Sequence, residues 1–186
     1  MDIELRTEFR VDDSISLRAW TEEDLNKALE IVLRNRNHLQ TFMGWMTPDY
    51  DLSSARKFIV DAITNRLQRK TLGLGIFRNS ELIGSIGFVY LDFEAKKTEI
   101  GYWIDKHEEG RGIITRACQT LIDYAFNELE MNRVEIRCSS KNLRSSAVPE
   151  RLGFTKEATL RQAELLKDGL HDFSIYGLLA QDPRLW

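Results

Sequence analysis

Cysteine is scarce in this chain: two among 186 residues, Cys118 and Cys138. They fall in a helix-like and a strand-like segment. That count leaves no disulfide framework and the spacing no cysteine-based metal site, so two reduced thiols in a cytoplasmic protein are expected. The three histidines, His38, His107 and His171, share no spacing, and neither a metal site nor a catalytic triad is expected. Proline occurs three times, and no Pro/Gly-rich linker, repeat or low-complexity tract interrupts the chain. One domain over residues 1–186 is therefore expected. Long apolar runs are missing too. The longest uncharged one, Leu82–Leu91, is too short to span a bilayer, and Met1-Asp-Ile-Glu-Leu-Arg lacks the apolar core of a secretion signal. Charge of one sign is not in excess: 26 Lys and Arg against 29 Asp and Glu give a net charge of −3. Neither nucleic acid nor a membrane is an expected partner.

What is present is ordinary for a folded domain, 42% hydrophobic and 30% charged residues. Ser14–Trp20 alternates and reads as a strand. Thr21-Glu-Glu-Asp24 resembles a capping box opening a helix whose apolar stripe is Leu25, Ala28, Leu29, Val32 and Leu33. A second helix from about Ser53 carries Ala55, Phe58, Ile59, Ala62, Ile63 and Leu67 on one face. Between them Leu39–Tyr50 is irregular. Its run Phe42-Met-Gly-Trp45-Met-Thr-Pro is either a core plug or the lip of an acceptor channel. Thr71–Phe77 and Glu81–Asp92 are strands joined by a tight turn, and Lys97–Asp105 is the next. Gly112–Leu129 keeps apolar residues at i, i+3 and i+4 throughout, a helix. Arg133–Ser139 is a strand, and Asn142–Leu152 a short helix ended by Gly153. Thr155–Leu166 and Leu170–Ala180 form a hairpin over Lys-Asp-Gly. Trp20, Trp103 and Trp186 read as packing residues. The pattern predicts an α/β (α+β) fold: a mixed, mostly antiparallel twisted sheet of about seven strands with helices on both faces.

The most informative run is Thr98–Thr115, in which a strand gives way to a charged turn and Gly110-Arg-Gly112 opens a helix. Glycines let the backbone approach a ligand closely and take angles that a Cβ forbids. The first N–H groups of the helix are unpaired and lie at the positive end of its dipole, a site suited to a diphosphate. The strand before the turn and Arg133–Ser139 are expected side by side and parallel, and ligands sit where such strands diverge. A dinucleotide fingerprint fits poorly, because Thr115 stands where its third glycine belongs. No Gly-Lys-Ser/Thr follows that would make a nucleoside-triphosphate loop.

Tyr102-Trp-Ile-Asp105 followed by His107-Glu-Glu-Gly-Arg-Gly112 resembles the acyl-CoA signature of the GNAT acetyltransferases, with His107 where Gln or Arg is usual. Asn142-Leu-Arg-Ser145 through Leu152-Gly-Phe154 resembles their second motif. From Ile15 to Leu179 the chain is similar to the branch that acetylates N-terminal amines of ribosomal proteins. The resemblance implies the GNAT fold, acetyl-CoA as co-substrate without a metal, and direct transfer to an amine. It implies cofactor contacts from Trp103, Ile104, His107, Gly110, Arg111, Gly112, Ile113, Ile114, Asn142 and Ser145. Ser145 would serve the departing thiolate, although Ser145 and Ser146 could simply be polar residues of a first helical turn; by family position Ser145 is the better catalytic candidate. Asn142 would hold a pantetheine amide or cap its helix. Glu164, in Arg161-Gln-Ala-Glu, would take the acceptor's proton, directly or through water. Trp45, Phe42 and His171 are the expected acceptor contacts. Cys138, close in sequence, reads as a small buried strand residue.

Two acceptors are open, a protein N-terminus or a small amine such as a polyamine, antibiotic or amino acid. A further reading is a CoA-binding sensor without catalysis, and a homo-oligomer is expected by analogy with the branch. An α-amine titrates near pH ~8 and lysine near ~10.4, so neutralising lysine costs roughly 3 kcal/mol more. That favours an N-terminus.

Overall fold

The computed structural model describes residues 4–186; the reading of Met1, Asp2 and Ile3 lies outside the described residues. Eight strands form one sheet: β1 (Glu8–Arg10), β2 (Ile15–Ala19), β3 (Leu72–Arg78), β4 (Glu81–Asp92), β5 (Lys97–Ile104), β6 (Arg133–Ser139), β7 (Thr155–Leu166) and β8 (Gly169–Leu179). Their order is β1-β2-β3-β4-β5-β6-β8-β7, and only β5 and β6 are parallel. The five α-helices among the described residues are α1 (Leu25–Arg34), α2 (Arg36–Leu39), α3 (Leu52–Leu67), α4 (Ile113–Asn127) and α5 (Leu143–Arg151). Among the described residues, no helix is long and apolar enough to cross a membrane.

Turn chemistry fixes several joints. Asn79 and Ser80 both take positive φ, 48° and 72°, which a two-residue hairpin loop with right-handed twist requires. Asp51 caps α3, accepting from the Ser54 N–H at 2.9 Å. At the first helix the Asp24 carboxylate accepts from the N–H and hydroxyl of Thr21, each at 2.9 Å, and from both Arg18 guanidinium nitrogens.

The two sheet faces carry separate cores. Ile100, Val134, Ile136 and Leu178 pack beneath Ala117, Leu121 and Ile122 of α4 and Val148 of α5. On the other face Trp20, Phe77 and Leu82 meet Ala28, Ile31 and Val32 of α1 and Ala55 and Ile59 of α3. Helices α1 and α3 pack on β4 and β3 respectively. Among the described residues, the helices packed most on β6 and β7 are α4 and α5 of the other face.

The sequence reading departs from this in a few places. Among the described residues there are eight strands rather than about seven, because the three-residue β1 is too short to show an alternation. It is a strand because Phe9 is buried beneath Tyr124 while Glu8–Arg10 pairs with Ser16–Arg18. Leu33 and Leu67 were expected on apolar faces yet are exposed, and Ile31 takes the inward position on α1. Trp186 is 40% exposed and is not a packing residue, whereas Trp20 is buried.

Acid should destabilise this fold early. Burial works against the ionised forms of Asp24 and Asp105, but hydrogen bonds outweigh it. Arg18 and Thr21 hold Asp24 below the usual carboxylate range, and the His107 N–H, Asn35 and Arg34 do so for Asp105. A folded pKa below the unfolded one gives stability that is present above pH ~4 and lost as pH falls through the folded value. The melting temperature is therefore expected to fall below about pH 4. Asp24→Asn should cost about 1–3 kcal/mol at neutral pH and flatten that acid limb; the exposure of Arg18 keeps the figure modest. Calorimetric scans from pH 7 to 3 check both.

Candidate active site

Strands β5 and β6 pair over only three residues, Lys97–Glu99 against Arg133–Glu135. Beyond Glu99 and Glu135 they part, so Ile100–Ile104 and Ile136–Ser139 border an open fork. Side chains alternate across it: Ile100, Tyr102 and Cys138 face α4 and α5, whereas Glu99, Trp103, Arg137 and Ser139 face the other way.

On the α4–α5 side lies a cleft of about 880 Å³. Gly110 and Gly112 form its turn, with φ of 75° and 68°. A Cβ on Gly110 would point into open space, where a ligand can approach the backbone. The turn is held from three directions. Asp105 accepts from the His107 N–H at 2.9 Å and from Arg34 at 2.6 Å, and Asn35 Oδ1 accepts from the Lys106 N–H at 3.0 Å. Glu108, buried, binds Arg78 at 2.6 Å. Arg116, on the first turn of α4, donates to the Arg111 carbonyl at 3.1 Å and to Asp12 at 3.0 Å. Gly112 itself is the N-cap of α4.

Of the residues expected to hold a cofactor, Trp103, Ile104, Gly110, Arg111, Gly112, Ile113, Ile114, Asn142 and Ser145 all line this cleft. His107 does not: its side chain points to solvent while its N–H serves Asp105. Asn142 caps α5, its Oδ1 accepting from the Ser145 N–H at 3.1 Å. The Ser145 hydroxyl donates to Tyr102 Oη at 3.2 Å, and that phenol donates to the Ser145 carbonyl at 3.1 Å. Burial pushes the Tyr102 phenol well above its ordinary range, so it remains a proton donor. Cys138 is buried with its Sγ 3.4 Å from Ser146 Oγ, and burial raises its thiol.

Apart from Arg111, the sequence reading passed over the basic lining. Lys106, Arg111, Arg116, Arg144 and Arg151 all face the cleft. Glu109 joins its rims, paired with His38 of α2 at 3.2 Å and with Arg144 of α5. The signal was present in the clustering of Lys and Arg inside the two motifs. Left-handed glycines, a fifteen-residue helix behind them and five cations suit a diphosphate and a further phosphate.

On the opposite face the segment before α3 and the β7–β8 hairpin arch toward each other. A Cβ at Gly44 would lie 3.1 Å from Glu164 Oε1, and Lys167 Nζ donates to Gln40 at 3.1 Å. The Phe42 ring meets the His171 imidazole edge-on at 6.5 Å and also lines the cleft. The Phe42–Pro48 run divides between plug and lip: Met46 is buried, while Trp45 is exposed and tilts against Trp103 at 6.3 Å. Neither Trp45, Glu164 nor His171 lines the cleft. His171 is buried, with both ring nitrogens hydrogen-bonded. Glu99, given no role from sequence, sits at the fork. Burial raises its carboxyl, Arg137 at 3.2 Å opposes that, and Glu135 and Glu164 add to it.

A fork in a sheet, with a glycine turn and a basic cleft on one side and an arched face carrying Glu164 on the other, suits an acyltransferase that works from a phosphate-bearing carrier. The chain belongs to the GNAT acetyltransferases, whose domain matches residues 14–155. It is an N-acetyltransferase that uses acetyl-CoA. It is 32% identical over 167 residues to the ribosomal-protein-serine acetyltransferase of Escherichia coli, covering 90% of this chain and 93% of that protein. YdaF of Bacillus subtilis, provisionally named a ribosomal N-acetyltransferase, is 34% identical over 93% of this chain and 95% of its own. Among solved structures, RimL, the ribosomal L7/L12 α-N-protein acetyltransferase in complex with coenzyme A, superposes with a TM-score of 0.89. It is 28% identical, over 92% of this chain and 97% of that one. The microcin C7 self-immunity acetyltransferase MccE, solved with acetyl-CoA and AMP, gives 0.88 at 27% identity over 95% and 98%.

Proposed function

We propose that this protein transfers acetyl from acetyl-CoA to the N-terminal α-amine of a ribosomal protein, the whole chain acting as one domain in the cytoplasm, as a homodimer. The observation that carries the reading is the placing of Glu164 on the arched face, against Gly44, while Ser145 lies across the fork in the cleft. The ribosomal relatives, spanning nine-tenths of the chain, support the acceptor.

Acetyl-CoA supplies an activated acetyl thioester. The backbone of Gly110–Ile114, with Arg111, Arg116 and Arg144, holds the phosphates. The open edge of β5 around Trp103 and Ile104 offers backbone hydrogen bonds to the carrier and to the oxygen that gains charge. Ser145, its backbone held by the Asn142 cap, turns its hydroxyl proton from Tyr102 Oη to the departing sulfur. Glu164 takes the ammonium proton, and Trp45, Phe42 and Trp103 flank the passage. His171 acts from behind Phe42 rather than by touching the acceptor.

A thiol with pKa near ~8.5 leaves without a strong acid, so Ser145→Ala should slow turnover only about tenfold. Its dissociation constant for acetyl-CoA should stay within about twofold of the parent's. Stopped-flow thiol release with calorimetric titration measures both, and equal losses would make Ser145 a binding group only.

The reading itself is tested by offering acetyl-CoA with peptides carrying different N-termini, against polyamines and amino acids, and following thiol release. Faster turnover of an N-terminal peptide is expected. The Glu164 carboxylate favours a second reading, a small polycationic amine, although Arg133 and Arg137 already offset the charges of Glu99 and Glu135. Preference for a polyamine in that competition would select it.

A further inference from the structure

The Arg161-Gln-Ala-Glu segment is not a regular strand. Leu160 pairs with Phe173 and Glu164 with His171, so residues 161–163 stand opposite Asp172 alone. Gln162 takes φ of 49° at the apex, and its N–H donates to Asp172 Oδ1 at 2.8 Å. The strand therefore bulges immediately before Glu164, and a bulge re-aims the side chains beside it, here toward whatever direction the hairpin beyond it is held in.

His171 is the cross-strand partner of Glu164 and is 2% exposed. Its Nδ1 lies 2.7 Å from Ser139 Oγ, and its Nε2 lies 2.6 Å from Asp168 Oδ1 in the hairpin turn. In one arrangement the Ser139 hydroxyl donates to Nδ1, the Nε2–H donates to Asp168, and Ser139 Oγ accepts from the Lys141 N–H at 3.3 Å; Lys141 Nζ, 3.4 Å from Nε2, then donates elsewhere. Lys141 Nζ lies 3.6 Å from Asp168 Oδ2, and Phe42 closes the ring's edge. The chain of contacts runs from the end of β6, at the fork, to the tip of the hairpin. A buried imidazole with both nitrogens bonded has one orientation, and it transmits that to the residue paired with it.

We propose that Ser139, His171 and Asp168 form a positioning latch that clamps the β7–β8 tip to the end of β6 and so holds Glu164 over the acceptor passage. The inference rests on the reading of Glu164 as the proton acceptor. None of the three touches the reacting atoms; they act through Glu164.

The test is a double-mutant cycle on the full-length enzyme with acetyl-CoA and the best acceptor peptide. Asp168→Ala, at an exposed site that leaves the fold intact, should lower kcat about tenfold, and His171→Ala about thirtyfold, as misplacement of a catalytic group does. His171→Gln, which keeps a donor and an acceptor, should recover most of the loss. The dissociation constant for acetyl-CoA should not move. In a Glu164→Gln background, adding Asp168→Ala should change kcat by less than about twofold, because the group being aimed is gone. Multiplicative losses in the double variant, parental kcat in both single latch variants, or a matching loss of acetyl-CoA affinity would each overturn the latch. Parental turnover by Glu164→Gln alone is a different result, and it removes the reading of Glu164 on which the latch rests. Should His171→Ala fail to fold, Asp168→Ala carries the cycle by itself.

Discussion

Glu164→Gln is expected to lower kcat by about 10²–10⁴-fold, the range that a positioned general base contributes. The amide has the size of the carboxylate, so the fit of the side chain beside Gly44, where a Cβ would lie 3.1 Å from Oε1, and the path of the hairpin are preserved while the proton acceptor is lost. Among the described residues no hydrogen bond or ion pair engages the Glu164 carboxylate, so the substitution breaks no structural bond. Acetyl-CoA should bind as before, because Glu164 stands outside the cleft that holds it. The deficit should also depend on pH in a definite direction. Below pH ~8 an N-terminal amine is mostly ammonium and needs the base; above it the free amine is already the main species. The ratio of parental to variant rate is thus expected to be largest near pH 6 and to shrink as pH passes about 8. Initial rates of thiol release from pH 6 to 9.5 measure it. A ratio near one at every pH would show that another group takes the proton, and Glu99, half-buried at the fork with its carboxyl raised, would be the next residue to test.

Much of this site could be seen in the residues themselves. The helix over Gly112–Leu129 was legible because a fully buried helix face repeats at 3.6 residues, and α4 buries Ala117, Cys118, Leu121, Ile122 and Ala125. The glycine turn was legible because Gly110 and Gly112 occupy angles that few other residues accept. The fork followed from a strand–helix–strand crossover placed after an antiparallel meander. What stayed hidden depends on contacts distant in sequence. His107 sits inside the motif yet turns outward, since its N–H is needed by Asp105. His171 looked like an acceptor contact because it lies near the hairpin tip, but Ser139 and Asp168 occupy both of its nitrogens. The bulge at Gln162 left no trace in the alternation, because its two extra residues preserve the parity of the strand. Leu33 and Leu67 fit their helical stripes but extend past the area that the sheet covers.

Gly112→Val should weaken CoA binding by at least about 100-fold while leaving the fold in place. At φ of 68° an L-residue costs about 1–2 kcal/mol, and a branched Cβ costs more. The new Cβ would also lie 3.1 Å from Arg116 Nη1, the group that holds the Arg111 carbonyl of the same turn. The turn can relieve both by rotating, and rotation swings the N–H groups at the start of α4 away from the phosphates. A hydrogen bond to a charged group contributes about 1.5–3 kcal/mol, so losing two of them costs about 3–6 kcal/mol. At about 1.4 kcal/mol per decade that is roughly 10²–10⁴ in Kd. Gly110→Ala separates the two causes. Its φ of 75° carries the backbone cost alone, because a Cβ there meets nothing within 4 Å. It should weaken binding only about tenfold, from a strain of 1–2 kcal/mol. Titration calorimetry with CoA, alongside circular dichroism to confirm the fold, ranks the two variants. If Gly110→Ala proved the more damaging, the phosphates would lie over the first glycine rather than against the N-cap. If neither substitution mattered, the turn would not be what grips the carrier, and the five cations around the cleft would have to do so without it.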